Sequence, residues 1–136
     1  MAAYLADKSA LVRVGLAGAE WLASEIMDGT VRRSSMTDLE ILYSATSHRA
    51  LLEVIEERQA AFRLVDTQKE DWDRAVEVMA LLAKKGKHRS VGIPDLLIAA
   101  VAERHELTLV HYDSDFDHVA EVTGQETRWL APRGTW

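Results

Sequence analysis

Cysteine is absent from this chain of 136 residues. The absence excludes disulfide bonds, a thiol nucleophile and a thiolate metal site, so any bound metal must be held by oxygen or imidazole ligands. Such ligands favour Mg²⁺ or Mn²⁺ chemistry. A chain without cysteine is also compatible with a reducing cytoplasm, where disulfide bonds are rare.

Long hydrophobic runs are also lacking. The longest, Leu96–Ala102, is far shorter than the roughly 20 residues of a membrane-spanning helix. Only Met1–Ala6 precede Asp7, without the positive region of a signal peptide. We therefore expect a soluble, cytoplasmic protein, and the length predicts a single domain over residues 1–136, which would bury roughly two-thirds of its unfolded surface.

Positive charge is scarce. Sixteen Lys and Arg residues face 22 Asp and Glu residues, which gives a net charge of −6. Nucleic-acid backbones are bound by Lys and Arg, so this balance excludes a surface coated for that purpose, and any such contact must be local. Two basic clusters are available, Arg32-Arg33 and the segment 84–89 with Lys84, Lys85, Lys87 and Arg89. Clusters of this kind are more often ordinary solvated loops.

Short apolar runs alternate with helical patterns along the chain. Strands are predicted at residues 3–6, 31–35, 62–65, 107–110 and 127–130. Helices are predicted at residues 10–14, 17–27, 37–46, 51–60, 68–85, 95–102 and 116–122. Right-handed crossovers place helices over both faces of a parallel sheet. The alternation therefore predicts an α/β fold.

Several acids are predicted to lie at one edge of that sheet. Asp7 ends the first strand and Asp113 follows the fourth, while Glu40 and Asp95 lie in the first turns of their helices. Ligands of open α/β sheets bind outside the carboxyl ends of the strands. Carboxylates from separate elements can hold one or two hard cations, which activate water and stabilise the leaving oxygen of a phosphodiester.

Each acid also has a purely structural explanation. Asp7 could cap the first helix, and Asp95 could complement a helix dipole. The segment Thr37–Glu40 has a capping-box pattern, in which the glutamate reaches back to the amide of the N-cap residue. The segment Asp113–Asp115 could be a turn and a cap. Residue types and spacing alone leave both interpretations open.

Four blocks of the sequence together resemble a known family. They are Tyr4–Leu11 (YLADKSAL), Thr37–Glu40 (TDLE), Gly92–Ala100 (GIPDLLIAA) and Asp113–Phe116 (DSDF). In this order they are similar to the signature blocks of PIN-domain proteins, and above all of the VapC toxins of bacterial toxin–antitoxin systems. The blocks around Asp95 and Asp113 are the most specific. The resemblance extends over essentially the whole chain.

This resemblance implies both a fold and an activity. The fold would be a three-layer sandwich, with a short, mostly parallel sheet between helices. The activity would be that of an endoribonuclease dependent on Mg²⁺ or Mn²⁺, acting as the toxin of a type II pair. The resemblance further implies a homodimer that is silenced by a VapB-like antitoxin, which wraps around the toxin and can place an arginine in the acidic site.

The resemblance also implies roles for single residues. The catalytic acids would be Asp7, Glu40, Asp95 and Asp113, and all four would bind metal together with Asp115. Ser9 would hydrogen-bond a metal-bound water or a phosphate oxygen, unless it only begins a helix. Apart from the resemblance, the positive charge of Lys84, Lys85, Lys87 and Arg89 predicts contact with the RNA backbone near the start of the Asp95 helix. His111 stands where many relatives have threonine, so it could bind metal, shuttle a proton or pack beneath the site, and packing is the interpretation we favour.

Two other functions compete with this one. The first is a PIN fold that has lost catalysis and binds only a protein partner. The second is a receiver-like binding module, which also gathers acids at strand ends, but its phosphoacceptor would have to be Asp66 and no lysine follows the later strand at Leu109–His111. A Ser-His-Asp hydrolase is excluded, because the chain has no G-x-S-x-G motif.

Overall fold

The computed structural model describes residues 2–136, which form five strands and seven helices. The strands are β1 (Tyr4–Ala6), β2 (Val31–Arg33), β3 (Arg63–Leu64), β4 (Thr108–His111) and β5 (Thr127–Trp129). The helices are α1 (Lys8–Leu11), α2 (Glu20–Met27), α3 (Ser35–Leu42), α4 (His48–Ala61), α5 (Lys69–Lys84), α6 (Ile93–Arg104) and α7 (Asp115–Thr123). None of the helices in this range is long and apolar enough to span a membrane.

All five strands pair in parallel, in the order β3-β2-β1-β4-β5. Strands β2 and β3 extend the sheet on one side of β1, and β4 and β5 then extend it on the other side. The strand order therefore reverses between β1 and β4, where Ala6 pairs with Val110. Such a switch point opens a crevice beyond the carboxyl ends of the two strands, because the flanking connections leave in opposite directions.

Side chains alternate between the two faces of the sheet, as the period of a strand requires. Leu5 and Leu109 are buried against helices α5, α6 and α7 in one core cluster. Tyr4, Ala6 and Val110 are buried against α1 and α2 in the other. The sheet therefore lies between two helical layers, which confirms the predicted three-layer α/β sandwich. The sheet is wholly parallel rather than mostly parallel.

Helix α6 is the most buried helix of the protein. All seven residues of the apolar run from Leu96 to Ala102 are buried, and five of them belong to the first core cluster. Burying each Leu or Ile side chain stabilises the fold by about 1.5–3 kcal/mol. This burial holds the first turn of α6, with Asp95, rigidly against the sheet.

Some predicted boundaries were wrong, each for a local reason. Helix α6 begins at Ile93 rather than Asp95, because Gly92 is its N-cap residue and Pro94 fits the first turn. Helix α3 begins at Ser35 rather than Thr37, because Ser34 is its N-cap. Strand β3 is shorter than predicted, with both residues of this edge strand exposed.

Candidate metal centre

The switch-point crevice receives an aspartate from each side. Asp7 directly follows β1, and its backbone N–H donates to the carbonyl of Val110 at 3.1 Å. Asp113 lies two residues beyond the last residue of β4. The parallel register of the two strands therefore brings both aspartates to one edge of the sheet.

Asp7 is nearly buried, with 4% of its surface exposed. Its Oδ1 accepts hydrogen bonds from the Ser9 hydroxyl at 2.6 Å and from the Ala10 amide at 3.2 Å. Burial raises the pKa of Asp7 to about 6, although both hydrogen bonds lower it. Asp7 therefore caps α1, as its structural explanation requires, and the charge of the same carboxylate also acts on Asp95.

Ser9 links the two sides of the crevice. Its hydroxyl donates to Asp7 and accepts the backbone N–H of Tyr112 at 2.8 Å. Tyr112 immediately precedes Asp113. The serine therefore orients the Asp7 carboxylate and holds the exit of β4 against α1, a role beyond that of a residue that only begins a helix.

Asp95 lies in the first turn of α6, where the helix dipole favours negative charge. Burial nevertheless raises the pKa of Asp95 to about 7, and neighbouring negative charges add to this effect. Those neighbours are, in order of decreasing effect, Asp7, Glu40, Asp113 and Asp115. One carboxylate thus experiences the field of the four other acids that the sequence singled out, so the structure brings all five together.

Asp113 and Asp115 form the tightest part of the cluster. The Oδ1 atom of Asp113 accepts the Asp115 backbone N–H at 2.9 Å, which fixes the turn between them. One carboxylate oxygen from each of Asp95, Asp113 and Asp115 lies within 4.8 Å of the other two. Burial, and then the charge of Asp113, raises the pKa of Asp115. These three oxygens are close enough to share one cation.

Glu40 approaches the cluster from α3, in the second turn of that helix rather than the first. The capping box of α3 consists of Ser34 and Thr37, whose side chains bond each other's backbone amides at 3.2 and 2.9 Å. The capping box predicted between Thr37 and Glu40 was therefore wrong. Burial raises the pKa of Glu40, while the charge of Lys8 lowers it. The cap makes no use of the Glu40 carboxylate.

Asp38 is held away from this cluster by two arginines. Its carboxylate forms ion pairs with Arg33 and, at 2.7 Å, with the buried Arg58. These contacts join β2, α3 and α4. Asp38 is thus a structural residue, although it lies only two residues before Glu40.

His111 packs beneath the site. Its side chain is fully buried against Phe116 and Trp129, with ring centroids 5.1 and 5.0 Å away. Its Nδ1 accepts the backbone N–H of Asp113 at 3.2 Å, and its Nε2 has no hydrogen-bond partner among residues 2–136. Burial lowers the pKa of His111, which favours the neutral ring. The packing role that we favoured is confirmed.

None of the five clustered acids forms an ion pair in the part of the chain that the structure describes, although the charges of Lys8 and His118 act on Glu40 and Asp115 from a longer distance. Every ion pair within residues 2–136 involves other acids. No Lys, Arg or His nitrogen in this range therefore comes within 4 Å of the five carboxylates. Clustered carboxylates without compensation are costly unless a cation joins them. All the donors are oxygen atoms, so they fit a hard divalent ion such as Mg²⁺ or Mn²⁺.

The basic segment 84–89 connects α5 with α6. Lys85 pairs with Glu121 at 2.6 Å, and Lys87 lies 3.9 Å from the same residue. Lys84 and Arg89 are exposed and form no ion pair within residues 2–136. Half of the segment is thus engaged with α7, and the other half is available for a ligand.

Sequence reasoning missed two neighbours of the acids, Arg13 and Tyr112. The guanidinium of Arg13 donates to the Ser9 carbonyl at 2.7 Å and lies over the Tyr112 ring, 4.7 Å from its centroid. The only signal in the sequence was proximity, since Arg13 lies four residues after Ser9 and Tyr112 precedes Asp113. Their contact joins residues 99 positions apart, which no local pattern reveals.

Known proteins match the chain over nearly its whole length. The PIN domain family model matches residues 4–122. Ribonuclease VapC21 of Mycobacterium tuberculosis H37Rv is 41% identical over 133 residues, which cover 97% of this chain and 96% of that protein. Ribonuclease VapC51 of the same strain is 38% identical over 136 residues, with the same coverage of 97% and 96%.

Solved structures show the same fold at lower identity. DNA-bound VapBC from Salmonella typhimurium contains a chain that superposes with a TM-score of 0.77 at 21% identity, covering 96% of this chain and 100% of that one. VapBC-1 from nontypeable Haemophilus influenzae gives a TM-score of 0.75 at 17% identity, covering 93% and 97%. The fold is therefore shared with chains found in these complexes.

Proposed function

The chain belongs to the PIN-domain family, and from this premise we propose that it is a metal-dependent endoribonuclease and the toxin of a VapBC-like toxin–antitoxin pair. The observation that carries the proposal is the convergence of four other carboxylates on Asp95, where no acid of the cluster forms an ion pair within residues 2–136. The relatives named ribonucleases, at 41% and 38% identity over nearly the full length, support RNA as the substrate.

The proposed roles follow from where each side chain lies. Asp95, Asp113 and Asp115 would hold a Mg²⁺ or Mn²⁺ ion, with Asp7 and Glu40 completing the acidic wall. A divalent ion bound there would supply activation of a water molecule and stabilisation of the leaving oxygen. The protein itself supplies no nucleophile. Ser9 fixes the orientation of Asp7, and the buried His111 supports the turn that carries Asp113.

Purified protein with and without Mn²⁺ tests this function. Single-stranded RNA should be cleaved in millimolar Mn²⁺ and left intact in excess EDTA, whereas DNA of the same sequence should resist cleavage. A preparation purified through two columns, with activity that follows the protein peak, excludes contaminating nucleases. RNA binding without cleavage at any divalent metal concentration would favour instead a PIN fold that has lost catalysis.

The receiver-like alternative finds no support in the structure. Asp66, its required phosphoacceptor, is more than half exposed and pairs with Arg104 at 3.2 Å and with His105 at 3.0 Å. These contacts lie beyond β3, at the edge of the sheet, away from the switch point between β1 and β4. An acid so engaged is a poor phosphate acceptor, because its charge is already compensated.

The proposed partners are a VapB-like antitoxin and a second copy of the chain. Two apolar surfaces are available for protein partners. One is a groove of about 430 Å³ between α1, α2 and α4, with Leu11, Ile26 and Val54 in its lining. The other carries the exposed side chains of Trp72 and Val76 on α5. Protein partners are a common reason for exposed apolar patches of this kind.

Divalent metal should stabilise the protein more at pH 8 than at pH 5. The pKa values of Asp7 and Asp95 are raised to about 6 and about 7, so the folded protein binds more protons than the unfolded chain from about pH 4 to 7. The free energy of unfolding of the metal-free protein therefore falls as the pH rises through this range. Metal binds the ionised carboxylates and reverses the loss.

A thermal melt at both pH values measures this effect. Saturating Mn²⁺ should raise the melting temperature by about 5–10 °C at pH 8 and by much less at pH 5. Equal shifts at the two pH values, or a full shift in a variant that lacks Asp95, would place the metal elsewhere.

Replacing Lys84 and Arg89 with glutamine should weaken RNA binding and flatten its salt dependence. Each lost phosphate contact lowers the slope of log K against log salt by about 0.7 for single strands. The same change at Lys85 and Lys87 should have a smaller effect, because Glu121 already pairs with these lysines. Binding isotherms at four salt concentrations give this slope for each protein, and identical slopes for the wild type and both variants would make the segment an ordinary solvated loop.

A further inference from the structure

A cluster of one arginine and three aromatic side chains lies immediately beside the acidic site. Its centre is Tyr112, whose ring contacts Trp129 and Trp136 at centroid distances of 5.5 and 5.0 Å and carries the Arg13 guanidinium 4.7 Å above it. The Tyr112 amide donates to Ser9, and the Ser9 hydroxyl donates to Asp7. The cluster is thus two hydrogen bonds from a proposed catalytic carboxylate.

Arg13 is an uncompensated cation in this acidic protein. Its contacts are the Ser9 carbonyl and the face of Tyr112, and no ion pair within the described chain, residues 2–136, includes it. Stacking on an aromatic ring orients a guanidinium and leaves the donors at its edge available for a phosphate. A positive charge held this way beside clustered carboxylates suits a polyanion that must approach them.

Trp136 is held in place yet remains exposed. The backbone N–H groups of Gly134 and Trp136 both donate to the Tyr112 hydroxyl oxygen, at 3.0 and 3.2 Å. A Cβ atom at Gly18 would lie 3.6 Å from the indole, so the loop after α1 approaches from another direction. Even so, 39% of the Trp136 surface is open to solvent. An indole immobilised on one side and open on another is suited to stack with a planar ligand.

We propose that Arg13 and Trp136 form an RNA subsite next to the acidic cluster, in which Arg13 binds a phosphate and Trp136 stacks on an unpaired base. The subsite rests on the proposed ribonuclease function and adds the nucleotide that positions the strand for cleavage. Single-stranded RNA presents splayed bases for aromatic stacking, whereas a duplex hides their faces. The subsite therefore selects unpaired RNA.

Steady-state cleavage of a fluorescent single-stranded RNA in Mn²⁺ tests the subsite first. Trp136→Ala should raise KM about tenfold with kcat changed less than threefold, because it removes the stacking contact with one base. Arg13→Ala should raise KM by about the same factor, because it removes a charge-assisted contact with a phosphate. Trp136→Phe should retain most of the affinity, because it keeps an aromatic face. Arg49→Ala is the matched control, since Arg49 is exposed on α4 and its one ion pair within residues 2–136 is with Glu53.

Abasic RNA separates stacking from a structural role. In an Asp95→Asn background, which prevents cleavage, single abasic nucleotides are introduced at each position of the RNA, and binding is measured by fluorescence anisotropy. One position should weaken binding about tenfold with Trp136 present and have no effect in Trp136→Ala. Arg13→Ala should in addition lower the slope of log K against log salt concentration by about 0.7.

The outcomes distinguish the subsite from the function. Unchanged KM, binding and abasic profile in all variants would overturn the subsite and leave the ribonuclease intact. Lower kcat and lower stability with an unchanged abasic profile would show that Trp136 only anchors residues 132–136, which also overturns it. If the wild type cleaves no RNA, the proposed function fails, and the binding measurements alone decide the subsite.

Discussion

Asparagine at position 95 should abolish RNA cleavage and at the same time stabilise the metal-free protein. Burial and four acidic neighbours raise the pKa of Asp95 to about 7, so the folded state carries its negative charge at a cost above that pH. A neutral amide of the same shape removes the cost. It also removes a charged ligand from a hard cation, which an amide replaces poorly.

The expected loss of cleavage is about a thousandfold or more, since metal assistance contributes several kcal/mol to catalysis. Cleavage at saturating Mn²⁺ and melting temperature in EDTA at pH 8 should be measured on the same preparation. Asp73→Asn, a change of equal charge at an exposed residue of α5, should alter neither quantity appreciably. An active Asp95→Asn enzyme, free of wild-type protein, would remove the metal mechanism.

Asp7→Asn should inactivate the enzyme by a different balance of effects. The asparagine oxygen can still accept hydrogen bonds from Ser9 and Ala10, so the cap of α1 is largely kept. The charge near Asp113 and Asp95 is lost. We therefore expect a folded protein with little cleavage, which the same two measurements would show.

The sequence predicted the layers of this fold well because hydrophobic patterns are local. The run from Leu96 to Ala102 is apolar without interruption, and it forms the most buried helix. All five predicted strands are present, within one or two residues of their predicted ends. The strand order could not be predicted, because the return of β4 to the far side of β1 is decided by packing between residues about 100 positions apart.

The cluster of acids was predictable only in part. Asp7 and Asp113 follow buried strands, so their convergence follows from the parallel sheet. Asp95 was placed by resemblance together with the geometry of a helix that begins near it. The ion pair between Asp38 and Arg58 could not be predicted from the sequence, since it joins residues 20 positions apart on two helices. Resemblance to a family supplied what local patterns could not.

The error at the start of α3 has a simple physical cause. Both Ser34-x-x-Thr37 and Thr37-x-x-Glu40 place a hydroxyl residue three positions before a side chain that can accept a hydrogen bond. The familiar pattern ends in Glu or Gln, which favoured the second. In the structure Thr37 reaches back to the Ser34 amide at 2.9 Å, and the helix starts at Ser35, two residues earlier than predicted. The glutamate is thereby released from capping.

Glu40→Gln should therefore leave stability nearly unchanged while cleavage falls by about a hundredfold, or demands far more Mn²⁺. The amide keeps the size of the side chain and removes a charged oxygen from the acidic wall. Burial already raises the pKa of Glu40, so loss of its charge costs the fold nothing. Denaturant unfolding and a Mn²⁺ titration of cleavage measure the two quantities.

Two neighbouring substitutions should give the opposite result and so make the Glu40 experiment decisive. Ser34→Ala removes the side chain that caps α3 and should cost about 0.5–2 kcal/mol of stability with little effect on kcat. Asp38→Asn weakens the ion pairs with Arg33 and Arg58 and should cost about 1–3 kcal/mol, again without changing the Mn²⁺ requirement. Within residues 34–40, the two substitutions that lower the free energy of unfolding would then be distinct from the one that lowers cleavage. A Glu40→Gln enzyme with normal metal dependence would leave four acids, Asp7, Asp95, Asp113 and Asp115, to hold the ion without α3.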